Sequence, residues 1–265
     1  SGPVLQHRSV EENNRATRVL HVDLSGPHAA SWPDDHRYLL VGVARLQGQD
    51  GKPLKLLPYT RTLAAKSSVE VAEALDNLIA EIEATTLPNV APGQRIVKVH
   101  SDRGTEWLGA SCKEMYRKNL LFHTETLGYD PQANGLAERF IGIVKEAARK
   151  LLFSSKLPEH FWPFAAEQMA HVSRARVLNR GPVAPFGARV AIRKQHLGNQ
   201  RGFEARADIG RLLVHRATTN REAVILERVG DDEVLTVGSC PVPLADVPWT
   251  FSVGGSPENE DATDT

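Results

Sequence analysis

Three carboxylic side chains lie at the ends of predicted secondary-structure elements, where together they could bind metal ions. Asp23 interrupts an apolar run, Asp102 precedes a glycine turn in KVHSDRGTEW, and Glu138 follows Asp102 by 36 positions. Three clustered carboxylates repel one another unless cations occupy the site. Oxygen-only ligands select hard ions, so the pattern predicts Mg²⁺ or Mn²⁺. Two such ions, about 3.5–4 Å apart, form the clamp used for in-line phosphodiester chemistry.

Each of these carboxylates, taken alone, also has an ordinary structural explanation. Asp102 stands next to a turn and could cap it, and Glu138 could form a surface salt bridge. Asp23 is harder to explain in this way, because an acid within an apolar strand costs free energy unless something neutralises it. The metal site is therefore a prediction about the three residues together.

The elements that would position these residues follow from hydrophobic periodicity and turn residues. Five segments are predicted as strands: TRVLHVDLSG, RYLLVGVARL, LKLLPYTRTLA, QRIVKVHSD and LLFHTETL. Four are predicted as helices: SSVEVAEALDNLIAEIEAT, SCKEMYRKN, QANGLAERFIGIVKEAARKLLFSS and PEHFWPFAAEQMAHVSRARVLNR. The first three strands have short links and predict an antiparallel meander. The whole order predicts an α/β fold with a mixed sheet flanked by helices.

This arrangement would bring the carboxylates together at one rim of the sheet. If the first and fourth strands are neighbours, Asp23 and Asp102 meet there. A helix packed across the same rim would add Glu138.

Charge is distributed unevenly along a chain whose net charge is zero. Residues 139–216 carry 15 Lys and Arg against 5 Asp and Glu, whereas residues 217–265 carry 2 against 10. A basic block after a carboxylate-bearing segment favours a polyanionic partner, and a solvated basic surface is the alternative. The basic run in this block comprises Arg189, Arg193, Lys194, Arg201, Arg206 and Arg211.

Composition and termini exclude several other classes of protein. No apolar run is long enough to span a bilayer, and the first residues lack the apolar centre of a secretory signal. The chain begins as if cut from a longer one. The two cysteines, Cys112 and Cys240, fit no zinc spacing and favour a reducing compartment.

Three ordered motifs resemble the integrase core of retroviruses and retrotransposons. HVDLSGP surrounds Asp23, SDRGTEW surrounds Asp102, and YDPQANGLAER surrounds Glu138, with the family's spacing of 35 residues between the second Asp and the Glu. Downstream, FWPFAAEQMAHVSRARVLNR and the stretch that follows it resemble copia (Ty1-like) elements. The resemblance covers roughly residues 17–215. An Asn that family members often carry shortly after the Glu-Arg pair is absent, because Phe140 and Ile141 follow Arg139.

The resemblance implies a fold, an activity and partners. It implies a ribonuclease-H-like five-stranded sheet, with Asp23, Asp102 and Glu138 as catalytic ligands of two Mg²⁺ or Mn²⁺ ions. It also implies a polynucleotidyl transferase or endonuclease that processes DNA 3′ ends and transfers them into target DNA. The expected partners are double-stranded DNA and further copies of the chain. The expected source is an intracellular polyprotein, with activity in the nucleus or location in cytoplasmic particles.

Further residues near Glu138 are candidates for DNA contact. Arg139 follows it directly, and Lys145 lies two helical turns further along. Either could hold a phosphate or be an ordinary surface cation. Gln132 and Asn134, in the preceding turn, could contact bases, although Asn134 could equally cap the helix.

The predicted domain organisation has five parts. Residues 1–16 form an N-terminal linker, 17–182 the ribonuclease-H-like core, 183–207 a basic linker, 208–250 a small β module, and 251–265 a disordered acidic tail. Two alternatives to the integrase stay open. One is a ribonuclease H or bacterial transposase on the same fold, and the other is a decayed or domesticated integrase that binds nucleic acid without cutting it.

Overall fold

The structure, a computed structural model, describes residues 18–84, 91, 95–126, 135–180, 183–193, 207–215, 222–229 and 232–244. The predicted N-terminal linker and acidic tail, and with them Gln132 and Asn134, lie outside the described residues. None of the described helices has the length and apolar character that a bilayer crossing requires.

The first nine elements build a sheet with helices on both faces. Its strands are β1 (Val19–Ser25), β2 (Tyr38–Ala44), β3 (Leu57–Leu63), β4 (Lys98–Ser101) and β5 (Phe122–Glu125). The helices among and after them are α1 (Ser68–Glu83), α2 (Thr105–Leu108), α3 (Ala110–Lys118) and α4 (Gly135–Ser155). A 3₁₀ turn (Glu159–Phe161) leads into α5 (Trp162–Val177).

The strand order is β3-β2-β1-β4-β5. β1, β2 and β3 form the predicted antiparallel meander, while β4 pairs parallel with β1, and β5 parallel with β4. The predicted mixed five-stranded sheet with flanking helices is confirmed.

The core consists of two apolar layers, one on each face of the sheet. One layer packs α1, α2 and α3 against the sheet, and the other packs α4 and α5 against it. β2 contributes to both, with Leu40 on the first side and Leu39 and Val41 on the second. This explains why its sequence is almost continuously apolar instead of alternating.

Four further strands close into a small barrel: β6 (Arg189–Arg193), β7 (Ala207–His215), β8 (Glu222–Val229) and β9 (Asp232–Pro243). The predicted C-terminal β module is therefore present, and its first strand, β6, lies within the segment 183–207 that the sequence predicts as a basic linker. Val190 and Ile192 alternate with polar or small residues and are buried inside the barrel. This alternation is short and lies among basic residues, so the sequence alone did not indicate a strand here.

Candidate active site at the β1 and β4 strand ends

The register between β1 and β4 aligns the two predicted aspartates. His21 pairs with His100 in this parallel ladder. Asp23 and Asp102 each follow their paired histidine by two residues. Because parallel strands run in the same direction, both aspartates reach the same edge of the sheet.

Asp23 is half-buried at the end of β1, and its ionisation is disfavoured. Burial, and to a smaller extent the negative charges of Asp102 and Glu138, raise the pKa of its carboxyl group to about 6. A hydrogen bond that Oδ1 accepts from the Leu24 N–H, at 2.8 Å, acts in the opposite direction. The charges of Asp102 and Glu138 therefore reach Asp23, so the three predicted carboxylates interact electrostatically.

Asp102 follows the last residue of β4 and shapes the turn that leaves the strand. Its Oδ1 accepts a hydrogen bond from the Gly104 N–H at 3.0 Å. The ordinary explanation, a turn-capping aspartate, is thus correct as far as one oxygen is concerned. Within the described part of the chain Asp102 forms no salt bridge, and neither do Asp23 and Glu138.

Glu138 lies exposed in the first turns of α4, next to the fully buried Ala137. The helix packs across the sheet through Val144, Ala148 and Leu152. Further along it, Lys145 Nζ lies 3.4 Å from the Ser25 hydroxyl oxygen at the end of β1. This contact brings α4 against the strand that carries Asp23.

A small basic patch lies where α4 meets the end of β1. Burial lowers the pKa of His28, and the positive charges of Lys145 and Arg149 lower it further, so the three side chains lie close together. They line a cavity of about 170 Å³ whose wall includes Trp162. Of the predicted contacts, Lys145 is half-buried here and Arg139 is exposed.

The basic run predicted for DNA contact is only partly available at the surface. Arg193 is exposed, but Arg211 is buried and donates from Nη1 to the Ser155 carbonyl at 2.7 Å. Arg211 therefore ties the barrel to the end of α4 and is not available as a surface cation. Lys194, Arg201 and Arg206 lie outside the described residues.

The donor chemistry of the site suits a hard divalent cation, since it consists of carboxylate oxygens. The donors are not closed into a coordination shell, because among the described residues no group of three His, Cys, Asp or Glu side chains is arranged to hold a metal ion. Asp23 and Asp102 share an edge of the sheet, and the charge of Glu138 on α4 reaches Asp23.

Comparison with known proteins adds a sequence relative. The chain is 25% identical over 186 residues to the Retrovirus-related Pol polyprotein from transposon TNT 1-94 of Nicotiana tabacum. That match covers 68% of this chain and 12% of the polyprotein, so the chain spans a small part of that relative. The resemblance to a retrotransposon integrase core is confirmed. No protein-family model matches the chain.

Two solved structures show a more distant likeness. One is a simian T-cell lymphotropic virus intasome in complex with PP2A regulatory subunit B56 gamma, with 17% identity and a TM-score of 0.45 over 84% of this chain and 75% of that chain. The other is the catalytic core domain of BIV integrase, with 18% identity and a TM-score of 0.38 over 63% of this chain and 88% of that chain.

Two charged residues at the same rim were missed from the sequence. Lys66 precedes α1, and Glu106 lies in α2; they form a salt bridge of 2.8 Å between Nζ and Oε1. The Lys66 charge lowers the pKa of Asp23, so this pair belongs to the neighbourhood of the carboxylates. Glu106 could have been recognised as an acid directly before the apolar Trp107 in GTEW, whereas no nearby residue distinguishes Lys66 from other surface lysines.

Proposed function

We propose that the chain is the catalytic part of an integrase that processes DNA 3′ ends and joins them to target DNA. The observation that carries this proposal is the β1–β4 register, which brings Asp23 and Asp102 to one edge, within the electrostatic reach of Glu138. Polynucleotidyl transfer needs such a carboxylate set next to a surface that can hold DNA. The sequence match to a retrotransposon Pol polyprotein supports the same activity.

Asp23, Asp102 and Glu138 would hold Mg²⁺ or Mn²⁺, two ions in the full site. When bound, the ions would activate the attacking oxygen and stabilise the leaving oxygen of an in-line displacement. The chain's own contribution is to align two of the ligands by strand register and to bring the third on α4. Burial, with a smaller effect of the Asp102 and Glu138 charges, raises the pKa of Asp23, and a bound divalent cation would favour its ionised form.

Lys145 and Arg139 would bind DNA phosphates, with Gln132 and Asn134 as further DNA contacts. Lys145 suits this role because its ammonium group lies 3.4 Å from the Ser25 hydroxyl at the end of β1, the strand that carries Asp23, and it lines one cavity with Arg149. Such contacts position the duplex without reading its sequence.

Integration requires two element ends to be joined in one reaction, so we propose that the active form is a homo-multimer on double-stranded DNA. We further propose that the chain is released from, or acts within, a retrotransposon polyprotein and works in the nucleus.

The direct test is cleavage and joining of a labelled duplex carrying an element end, with Mg²⁺ or Mn²⁺. The parent should nick and join DNA, and Asp102→Asn should lose at least 100-fold of this activity, on the order of the loss expected when a ligand of the reacting centre is removed. Glu138→Gln should lose as much, whereas Glu146→Gln on the same helix should retain activity. Glu146 is exposed and pairs with Lys150, which makes it the matched control. Equal activity in both glutamine variants would contradict the proposed role of Glu138.

The phosphate role of Lys145 has its own control in Lys150, an exposed lysine one turn further along. Lys145→Ala should weaken duplex binding and reduce its salt dependence by about one phosphate contact, and Lys150→Ala should do neither. The same decrease in both variants would indicate general charge and not a contact.

A second candidate is non-catalytic nucleic-acid binding by a decayed or domesticated integrase. It is favoured by Phe140 and Ile141, which follow Arg139 where family members often carry an Asn. In that case the parent and Asp102→Asn would bind duplex equally and neither would cut it.

A further inference from the structure

Lys66 precedes α1, which packs on the face of the sheet opposite to α4, the helix that carries Glu138. It directly precedes Ser67, which caps the N-terminus of α1. The charges of Asp23 and Asp102 raise the pKa of Lys66, after the larger effect of its hydrogen bond to Glu106. Its ammonium group therefore lies within reach of both aspartates while it forms its ion pair elsewhere.

The backbone that carries Lys66 is held from both sides. Glu70 Oε2 accepts hydrogen bonds from the N–H groups of Ala64 and Ala65, at 2.9 and 3.0 Å. In return, the Ser67 hydroxyl accepts from the Glu70 N–H at 3.2 Å. This reciprocal arrangement resembles a capping box and holds the loop between β3 and α1 in one conformation.

Glu106 holds the other end of the lysine. Its side chain is only 4% exposed, whereas that of Lys66 is 45% exposed. A buried carboxylate is costly without a cation, so the pair has a strong reason to persist. Glu106 also packs on Gly104, where a Cβ would overlap its carboxylate, and Gly104 in turn donates to Asp102. The ion pair is thereby coupled to the turn that carries a predicted metal ligand.

An ammonium group has three N–H donors, and Glu106 accounts for one of them. The Lys66 side chain is 45% exposed, so a ligand at the rim can reach it. A lysine whose backbone and ammonium group are both fixed loses little conformational entropy when an anion binds. Phosphate oxygens are the anion class that a metal-loaded carboxylate site would bring to this position.

We propose that Lys66 is a DNA phosphate-contacting residue of this site and that Glu106 is its positioning residue. This rests on the proposed function for the identity of the ligand. The two cations Lys66 and Lys145 would then hold the DNA backbone from opposite sides of the carboxylates, one from the start of α1 and the other from α4.

The test measures binding of a labelled duplex as a function of NaCl at fixed Mg²⁺, together with strand transfer. Lys66→Ala should weaken binding about tenfold at low salt and reduce the slope of log affinity against log salt by about 0.9, the value for one phosphate contact. Lys66→Arg should retain most of the slope. Lys118→Ala is the control. Lys118 is an exposed lysine at the end of α3 that pairs with Asp76 of α1, so its removal should leave the slope unchanged.

Removal of Lys66 alone leaves Glu106 buried without its partner and could unfold the chain. The double variant Lys66→Met with Glu106→Gln removes both charges and should fold, with the same lowered slope as Lys66→Ala. Glu106→Gln alone should give an intermediate slope if it positions Lys66. If Glu106 has only a structural role, Glu106→Gln should lower the thermal midpoint and keep the salt slope of the parent.

The outcomes separate this inference from the proposed function. A parent that binds duplex without cutting, but whose slope falls in the Lys66 variants, contradicts the enzyme and supports the contact. An active parent whose folded double variant binds with an unchanged slope overturns the contact and leaves the enzyme in place. A parent that neither binds nor cuts overturns both.

Discussion

At Asp23 the carboxyl group faces burial and two further negative charges, and its pKa rises from 3.8 to about 6. Two residues before it, His21 has its pKa lowered from 6.5 to about 4, first by burial and then by the charges of His100, Lys98 and Arg45. Both neighbours therefore favour their uncharged forms in the folded chain. Their effects on stability have opposite signs because one group is an acid and the other a base.

For Asp23 the folded state binds a proton that the unfolded state releases between about pH 4 and pH 6. The free energy of unfolding therefore falls as pH rises through this window. Asp23→Asn should remove this loss and, without metal, should be more stable than the parent at pH 7.5 by about 1–3 kcal/mol, a range lowered for the partial exposure of the group. Urea unfolding in EDTA at pH 4 and 7.5 measures the difference, with the exposed Asp34→Asn as control. Parallel profiles of parent and Asp23→Asn would contradict the prediction.

For His21 the unfolded state binds the proton first, between about pH 6.5 and pH 4, so stability falls as pH falls through this window. His21→Gln should reduce this acid-dependent loss by about 2–3 kcal/mol. The same urea series measures it, and the slope should change in the direction opposite to that of Asp23→Asn. A change in the same direction for both variants would mean that general destabilisation, and not titration, is being measured.

At the scale of elements, the helices hold the sheet through polar anchors as well as apolar layers. Arg174 of α5 is 3% exposed. Its Nη1 donates to the Pro58 carbonyl at 2.7 Å, Nη2 lies 3.2 Å from Glu81 Oε1, and the guanidinium stacks over the Tyr59 ring. One side chain thus joins α5, β3 and α1.

Arg174→Met should cost about 3 kcal/mol of unfolding free energy, because it leaves the Pro58 carbonyl of β3 and the Glu81 carboxylate of α1 without this partner. The loss should lie at the lower end of the range for a broken buried pair, because Arg61 still contacts Glu81 at 2.6 Å. Urea unfolding measures the loss, and Arg176→Met, at an exposed position on the same helix, should change stability by less than about 0.5 kcal/mol. Equal effects at both positions would show that the anchor is unimportant.

At the scale of the whole molecule, the barrel and the sheet share one core. Leu213 and Leu226 of the barrel belong to the same buried cluster as Leu39 of β2. Gln168 of α5 adds hydrogen bonds, accepting from the His215 N–H at 3.1 Å and donating to the Ala184 carbonyl at 3.0 Å. The barrel is therefore docked on α5 through both apolar and polar contacts. Its status as a separate domain stays a prediction.

Leu213→Ala should cost about 2–5 kcal/mol, as expected for a fully buried leucine. Because the core is shared, the sheet and the barrel should unfold in one transition. Tryptophan fluorescence and far-ultraviolet circular dichroism measure this transition. Val234→Ala, at a position 40% exposed, is the control and should have little effect. Two separate transitions in the variant would show that the barrel unfolds independently of the sheet.

Much of the fold was predictable from local pattern. The apolar runs of the meander, bounded by turn residues, and the helical spacing in α1 and α4 are signals carried by a few neighbouring residues. The short β6 was missed because five residues in a basic context give a weak pattern. Lys66 was missed because its ion-pair partner, Glu106, lies 40 positions further along the chain.

The sequence by itself determined the three carboxylates, their spacing, and the elements that end beside them, because turn residues and hydrophobic periodicity act within a few positions of the chain. Only the tertiary structure decided that β1 lies beside β4 in the register that aligns Asp23 with Asp102, that Lys66 reaches this rim, and that the barrel shares the core. These features depend on contacts between segments far apart in the chain, whose free energies come from packing and charge in three dimensions.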